Sequence, residues 1–104
     1  MLYTVTILSR AQAEFESQVA YLHSRSPKGA DAWALEFKVT INQLKDDPLR
    51  FALAPENDSF EKEIRQVQFR TRKGNPYRII FTVIKSEVFV LTVRGLGQDF
   101  FEQK

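Results

Sequence analysis

The segment YRIIFTVIKSEVFVLTV, residues 77–93, decides the fold. It holds two β-branched and aromatic runs, YRIIFTVI and VFVLTV, joined tightly through Lys85 and Ser86. Runs of that composition and length suit strands, and so short a joint makes them an antiparallel hairpin. Turn length sets the register. A two-residue turn through Lys85 and Ser86 places Tyr77 opposite Arg94, whereas a three-residue turn places Arg78 there; periodicity leaves the choice open.

Just upstream, RKGNP is a turn by its Gly, Asn and Pro. Before it, EIRQVQFRT alternates Ile64, Gln66 and Gln68 against Arg65, Val67 and Phe69, a further strand that completes an antiparallel meander. PLRFALAPENDSFEKE carries two prolines and no clean period, so it reads as a connecting loop with a helical turn near Asp58–Lys62. Its carboxylates lack the ligand order of a calcium loop and read as solvated.

The N-terminal half is helical after a first strand. LYTVTIL alternates Leu2, Thr4 and Thr6 against Tyr3, Val5 and Ile7, a strand from about residue 2 to 8. SRAQ fits a capping box of Ser9 and Gln12, and Ala11, Phe15, Val19 and Leu22 then follow helical spacing to about Ser24. Ser26 and Pro27 start a second helix, whose apolar stripe is Ala30, Trp33, Ala34, Phe37, Ile41 and Leu44. That helix stops by Asp47 because Pro48 disfavours helical geometry in the residue before it. The expected order is β-α-α-β-β-β, an α+β fold with an antiparallel sheet and a helical hairpin on one face. The neighbour of the first strand is not readable from periodicity.

Bulk composition bounds the function. The 104 residues fit one domain, 1–104, with 43% hydrophobic residues and nine Phe to build a core. With no cysteine, disulfides, zinc-thiolate sites and thiol nucleophiles are excluded together. No basic leader precedes a cleavable apolar run and no apolar stretch is long enough to span a bilayer, so a cytoplasmic, membrane-independent protein is expected. His23, the single histidine, has no partner in sequence that would orient it as a base, and no metal or cofactor is expected.

Charge is the informative feature. Residues 1–63 hold seven Lys/Arg against ten Asp/Glu, residues 64–78 hold five against none, and residues 79–104 hold three against three. The basic excess therefore sits in one short segment, as an anionic partner would select or as a soluble turn would require. The candidate anion-binding set is Arg65, Arg70, Arg72, Lys73, Arg78 and Arg94, with Tyr77 beside them. Trp33 and the Phe residues, at helical spacing, read as core rather than as base-stacking platforms. Gly95 and Gly97 lack the rest of a nucleotide fingerprint and read as a bend after the last strand.

Several stretches, in this order, resemble one family: SPKGADAWALEFKVTINQLKDDPLR with its trailing proline, EIRQ before the turn, YRIIFTV, and VLTVRGLGQD. The chain is similar over nearly its whole length to the RelE/ParE superfamily of toxins from bacterial type II toxin–antitoxin systems, often labelled plasmid stabilisation proteins. LAPENDSFEKEIRQ and YRIIFTV resemble a subgroup within it. The resemblance implies a small cognate antitoxin as partner, and either of two activities. RelE-like members cut messenger RNA in the ribosomal decoding site; ParE-like members poison DNA gyrase without a recognised hydrolytic centre.

Position by position, the resemblance puts Arg78 on the strand arginine that contacts phosphate in RelE-like members. Arg65 falls near a basic position on the preceding strand, and Arg94 completes the candidate catalytic set. Gln98 stands where the C-terminal arginine is expected, Phe100 and Phe101 where a tyrosine hydroxyl is wanted, and Gly95 where many relatives carry His. Arginines stabilise charge on phosphorus but are poor bases near neutral pH, so the ribonuclease set is incomplete. The expectation is a toxin that arrests growth by binding gyrase or the translation machinery. A ribosome-dependent endoribonuclease and a non-toxic interaction module of the same fold are the alternatives.

Overall fold

The computed structural model describes residues 2–72 and 74–95. Strand β1 (Thr4–Ile7) leads into helices α1 (Ser9–Arg25) and α2 (Pro27–Gln43). Two short 3-10 turns, Pro48–Arg50 and Pro55–Ser59, then precede strands β2 (Arg65–Phe69), β3 (Tyr77–Ile84) and β4 (Glu87–Gly95). The sheet order is β1-β4-β3-β2. β2, β3 and β4 form the antiparallel meander, while β1 joins the outer side of β4 in parallel, from Thr4 opposite Glu87 to Ile7 opposite Val90. The sheet is thus mixed rather than wholly antiparallel.

The helical hairpin forms as its sequence dictates. Ser26 is the single residue between the helices; its Oγ accepts the Gly29 backbone N–H at 3.0 Å, and Pro27 takes the first helical position. The capping box at Ser9 does not form. Leu8 is the N-cap, because its N–H donates to the Val90 carbonyl as an extension of β1 while its own carbonyl already accepts from Gln12. Ser9 is thereby inside the helix, and the Gln12 amide turns along the helix to Glu16 instead.

The main core lies between helices and sheet. Ala11, Trp33, Phe37 and Leu44 from the helices meet Val67, Phe69, Ile79, Phe81, Val88, Val90 and Val93, with Phe15, Val19, Leu22 and Ile41 packed around them. Trp33 stacks at 5.6 Å on Phe15 and 5.9 Å on Phe37 and meets Phe69 at 5.6 Å and Tyr77, edge-on, at 5.2 Å. A second, smaller cluster of Ala54, Ile64 and Ile80, with Phe60 and Leu91, lies on the opposite face of the sheet. The connecting segment therefore covers part of that face instead of looping into solvent. Its helical turn sits at Pro55–Ser59 rather than near Asp58–Lys62, because Pro55 presets the dihedral of the first turn.

One carboxylate fastens helix to sheet. β1 ends with Ile7 opposite Val90, so the outer edge of β4 beyond that point has no strand partner among the described residues. Glu14 of α1 fills the gap: its Oε1 accepts from the Thr92 hydroxyl at 2.6 Å and from the Val93 N–H at 3.2 Å. Glu14→Ala removes the acceptor for both donors in a partly buried setting, and urea denaturation should show about 2 kcal/mol of lost stability. A loss below about 0.5 kcal/mol would mean that water already serves these groups.

Candidate functional site

The hairpin that sets the fold also sets the arrangement of cations. Lys85 and Ser86 form a two-residue turn, with Ile84 opposite Glu87 and Lys85 in the left-handed region at φ 58°. That turn alone would place Tyr77 opposite Arg94. A bulge intervenes: Phe81 pairs with Val90 but Ile80 pairs with Thr92, so Leu91 is the extra residue. The register shifts by one, and Arg78 lies directly opposite Arg94, with Gln68 on the other flank of Arg78. Residues opposite one another point to one face, so Gln68, Arg78 and Arg94 form a row on the side away from the helices.

Arg78 is engaged within the protein. Its Nη1 donates to Glu56 Oε1 at 2.8 Å and to Gln66 Oε1 at 3.1 Å, and its Nη2 donates to Glu56 Oε2. The Glu56 carboxylate is 1% exposed, so this fork-to-fork pair is withdrawn from water. The reading of PENDSFEKE as a solvated loop is overturned at this residue. Pro55 starts the 3-10 turn, Ala54 and Phe60 anchor its ends in the smaller cluster, and Asn57 Oδ1 accepts the Ile64 N–H at 2.9 Å. Those contacts turn Glu56 inward. The sequence signal was the set of apolar residues flanking the acids.

The other candidates separate into different places. Arg65 donates to the Phe51 carbonyl at 2.7 Å and pairs with Glu63 at 3.3 Å, so it ties β2 to the connecting segment. Tyr77 faces the helices, stacked on Phe69, and its hydroxyl accepts from the Gln18 amide at 2.7 Å. Burial, and secondarily the neighbouring Tyr21 phenol, raises its pKa above the usual 10.0, which keeps it a neutral phenol at any physiological pH. A cleft of about 300 Å³ beside it is lined by Glu14, Ser17, Gln18, Trp33 and Val93. Arg70 and Arg72 are exposed in the connection between β2 and β3, where the Gly74 N–H donates to the Thr71 carbonyl. Lys73, Gly97, Gln98, Phe100 and Phe101 lie outside the described residues. Gly95 ends β4 opposite Tyr77, and His23 is exposed near the end of α1.

The five described cations of the candidate set do not form one basic face. Arg78 and Arg94 share a row, Arg65 and Arg78 are drawn into contacts with the connecting segment, and Arg70 and Arg72 stand apart. Arginines so placed supply charge and hydrogen bonds, and the carboxylate that Arg78 holds among the described residues is the buried Glu56, which as its ion-pair partner is poorly placed to act as a base. No helix among the described residues is long and apolar enough to cross a membrane.

Comparison with known proteins bears on the same question. The family described as ParE toxin of type II toxin-antitoxin system, parDE, matches residues 5–100. Among solved structures, a chain of the chromosomal ParDE toxin–antitoxin system from P. aeruginosa superposes with a TM-score of 0.69 at 14% identity, covering 90% of this chain and 96% of that one. E. coli toxin RelE, as a double arginine-to-alanine mutant in the free state, superposes with a TM-score of 0.55 at 17% identity, covering 90% of this chain and 83% of that one. At such identities the two structures establish a shared fold. No curated protein matches the chain.

Proposed function

Because the chain belongs to the ParE toxin family of type II toxin–antitoxin systems, we propose that it arrests growth by binding DNA gyrase, and that a small cognate antitoxin neutralises it. The observation that carries the choice of binding over cleavage is the commitment of Arg78. A strand arginine that stabilises a scissile phosphate must present its guanidinium to the substrate. Here both outer nitrogens of that group are taken by Glu56 and Gln66. A substrate phosphate would have to displace a buried carboxylate that is already a bidentate partner.

The shared fold cannot by itself choose the target, since one scaffold hosts several activities. The antitoxin is expected to oppose the exposed cations with acidic residues, giving fast association that weakens with salt. Purified protein should inhibit gyrase supercoiling in a dose-dependent way and leave messenger RNA in programmed ribosomes uncut by primer extension. Codon-spaced cuts with undisturbed supercoiling would replace this reading with the ribonuclease one.

A further inference from the structure

Two acid-free segments that are far apart in sequence end at one pole of the molecule. The first is residues 17–30, with Arg25 and Lys28; the second is residues 69–77, with Arg70 and Arg72. α1 runs alongside β4 in the same direction. The Leu8 N–H meets the Val90 carbonyl, Glu14 meets Val93, and Gln18 meets the hydroxyl of Tyr77, which lies opposite Gly95. Past Gln18, the remaining seven residues of α1 carry the tip of the helical hairpin about 10 Å beyond the last pair of β3 and β4. The β2–β3 connection leaves the sheet at the same end, from Phe69 and Tyr77. Two prongs therefore project side by side, each bearing two exposed cations among the described residues. Asp31, more than a turn into α2, is the first carboxylate behind the hairpin tip on that helix.

The chemistry of this pole identifies its partner. A protein interface is centred on a cluster of apolar and aromatic residues; among the described residues the exposed ones lie elsewhere, Leu35 and Val39 on α2 and Leu2, Leu8, Leu49 and Leu53, apart from the single ring of Tyr21 on α1, which is 52% exposed. A groove of about 370 Å³ lined by Leu8, Phe60, Ile84, Phe89 and Leu91 is on the opposite sheet face. Single-stranded nucleic acid needs open aromatic faces for unstacked bases. At the pole, Trp33, Phe69 and Tyr77 stack on one another, and the Arg25 guanidinium covers Tyr21 at 5.0 Å. Among the described residues, what is left at the pole is fixed positive charge with one half-exposed ring, Tyr21, under the Arg25 guanidinium, a composition suited to contact with the phosphates of a rigid duplex.

We infer that the tip of the helical hairpin and the β2–β3 connection together form a two-pronged docking surface for the phosphate backbone of double-stranded DNA, with Arg25 and Lys28 on one prong and Arg70 and Arg72 on the other. Contact is sequence-independent and supplies positioning rather than readout. It goes beyond the gyrase reading, and because it is measured on DNA alone it stands or falls separately from inhibition of the enzyme.

The test is fluorescence anisotropy of a labelled 20-base-pair duplex across a salt series, with about 0.9 of the slope of log K against log salt expected for each phosphate neutralised. Arg25→Gln with Lys28→Gln, and separately Arg70→Gln with Arg72→Gln, should each lower the magnitude of the slope by about 1.8 and weaken binding, at unchanged circular dichroism. All four positions are exposed, so folding is retained. If the hairpin-tip pair leaves slope and affinity unaltered, the two-pronged surface is refuted. Tighter binding of single-stranded RNA of equal length, or of a poly-glutamate peptide, would overturn the assignment to duplex DNA.

Discussion

Arg78→Ala lowers the free energy of unfolding by about 3–5 kcal/mol, a large share of what a domain of this size possesses. The reason is the partner rather than the arginine. Glu56 is held away from solvent and receives both outer nitrogens of Arg78. Truncation would take from that carboxylate, in a low-dielectric setting, the bidentate counter-charge of Arg78. Replacing both partners by apolar residues, Glu56→Leu with Arg78→Met, removes the buried charge and should recover most of the loss. Urea titration of the single and double variants gives the coupling directly. The exposed pairs Arg10 with Glu14 and Arg65 with Glu63 provide a contrast, since the direct ionic term there is worth less than about 1 kcal/mol. A loss below about 1 kcal/mol in Arg78→Ala would show that the pair opens to water in solution. Any fall in activity of Arg78→Ala must therefore be read against the folded fraction before it is assigned to chemistry.

Trp33→Ala should cost about 3–5 kcal/mol, because the indole joins both helices to the sheet through Phe15, Phe37, Phe69 and Tyr77. The cavity cannot collapse easily when its walls belong to four different elements. Trp33→Phe is expected to cost less than about 1.5 kcal/mol. The indole N–H is buried and finds no hydrogen-bond partner among the described residues, so its removal relieves an unmet donor while the ring contacts largely persist. Thermal or urea unfolding of the two variants should separate them widely. Equal losses would mean that the N–H carries a bond the described contacts do not include.

What could be read from the residues was mostly local. The β3–β4 hairpin, the Ser26–Pro27 break and the two helical stripes follow from patterns a few residues long, and the structure keeps all of them. The features that were not legible depend on distant residues. Leu91 looks like any strand residue, yet its extra place in β4 is what turns Arg94 toward Arg78. Likewise Glu56 stands in a run of acids, and only packing of Ala54 and Phe60 on Ile64, Ile80 and Leu91 draws it inward. The Ser9 cap failed because the Leu8 N–H was claimed by Val90, far along the chain. Of the candidate site, the residue types were legible but not their grouping. Nothing in the sequence places Arg25 and Lys28 beside Arg70 and Arg72.

The parallel seat of β1 against β4 has a kinetic consequence. Both hairpins, helical and β, close over a few residues and can form early, whereas Thr4 must find Glu87 across nearly the whole chain. Docking of the first strand is therefore the late event of folding. Before it, a collapsed species would present residues 4–7 and the matching side of β4 as two complementary, unsatisfied ladders, the state in which exchange of that strand between two molecules competes with closure.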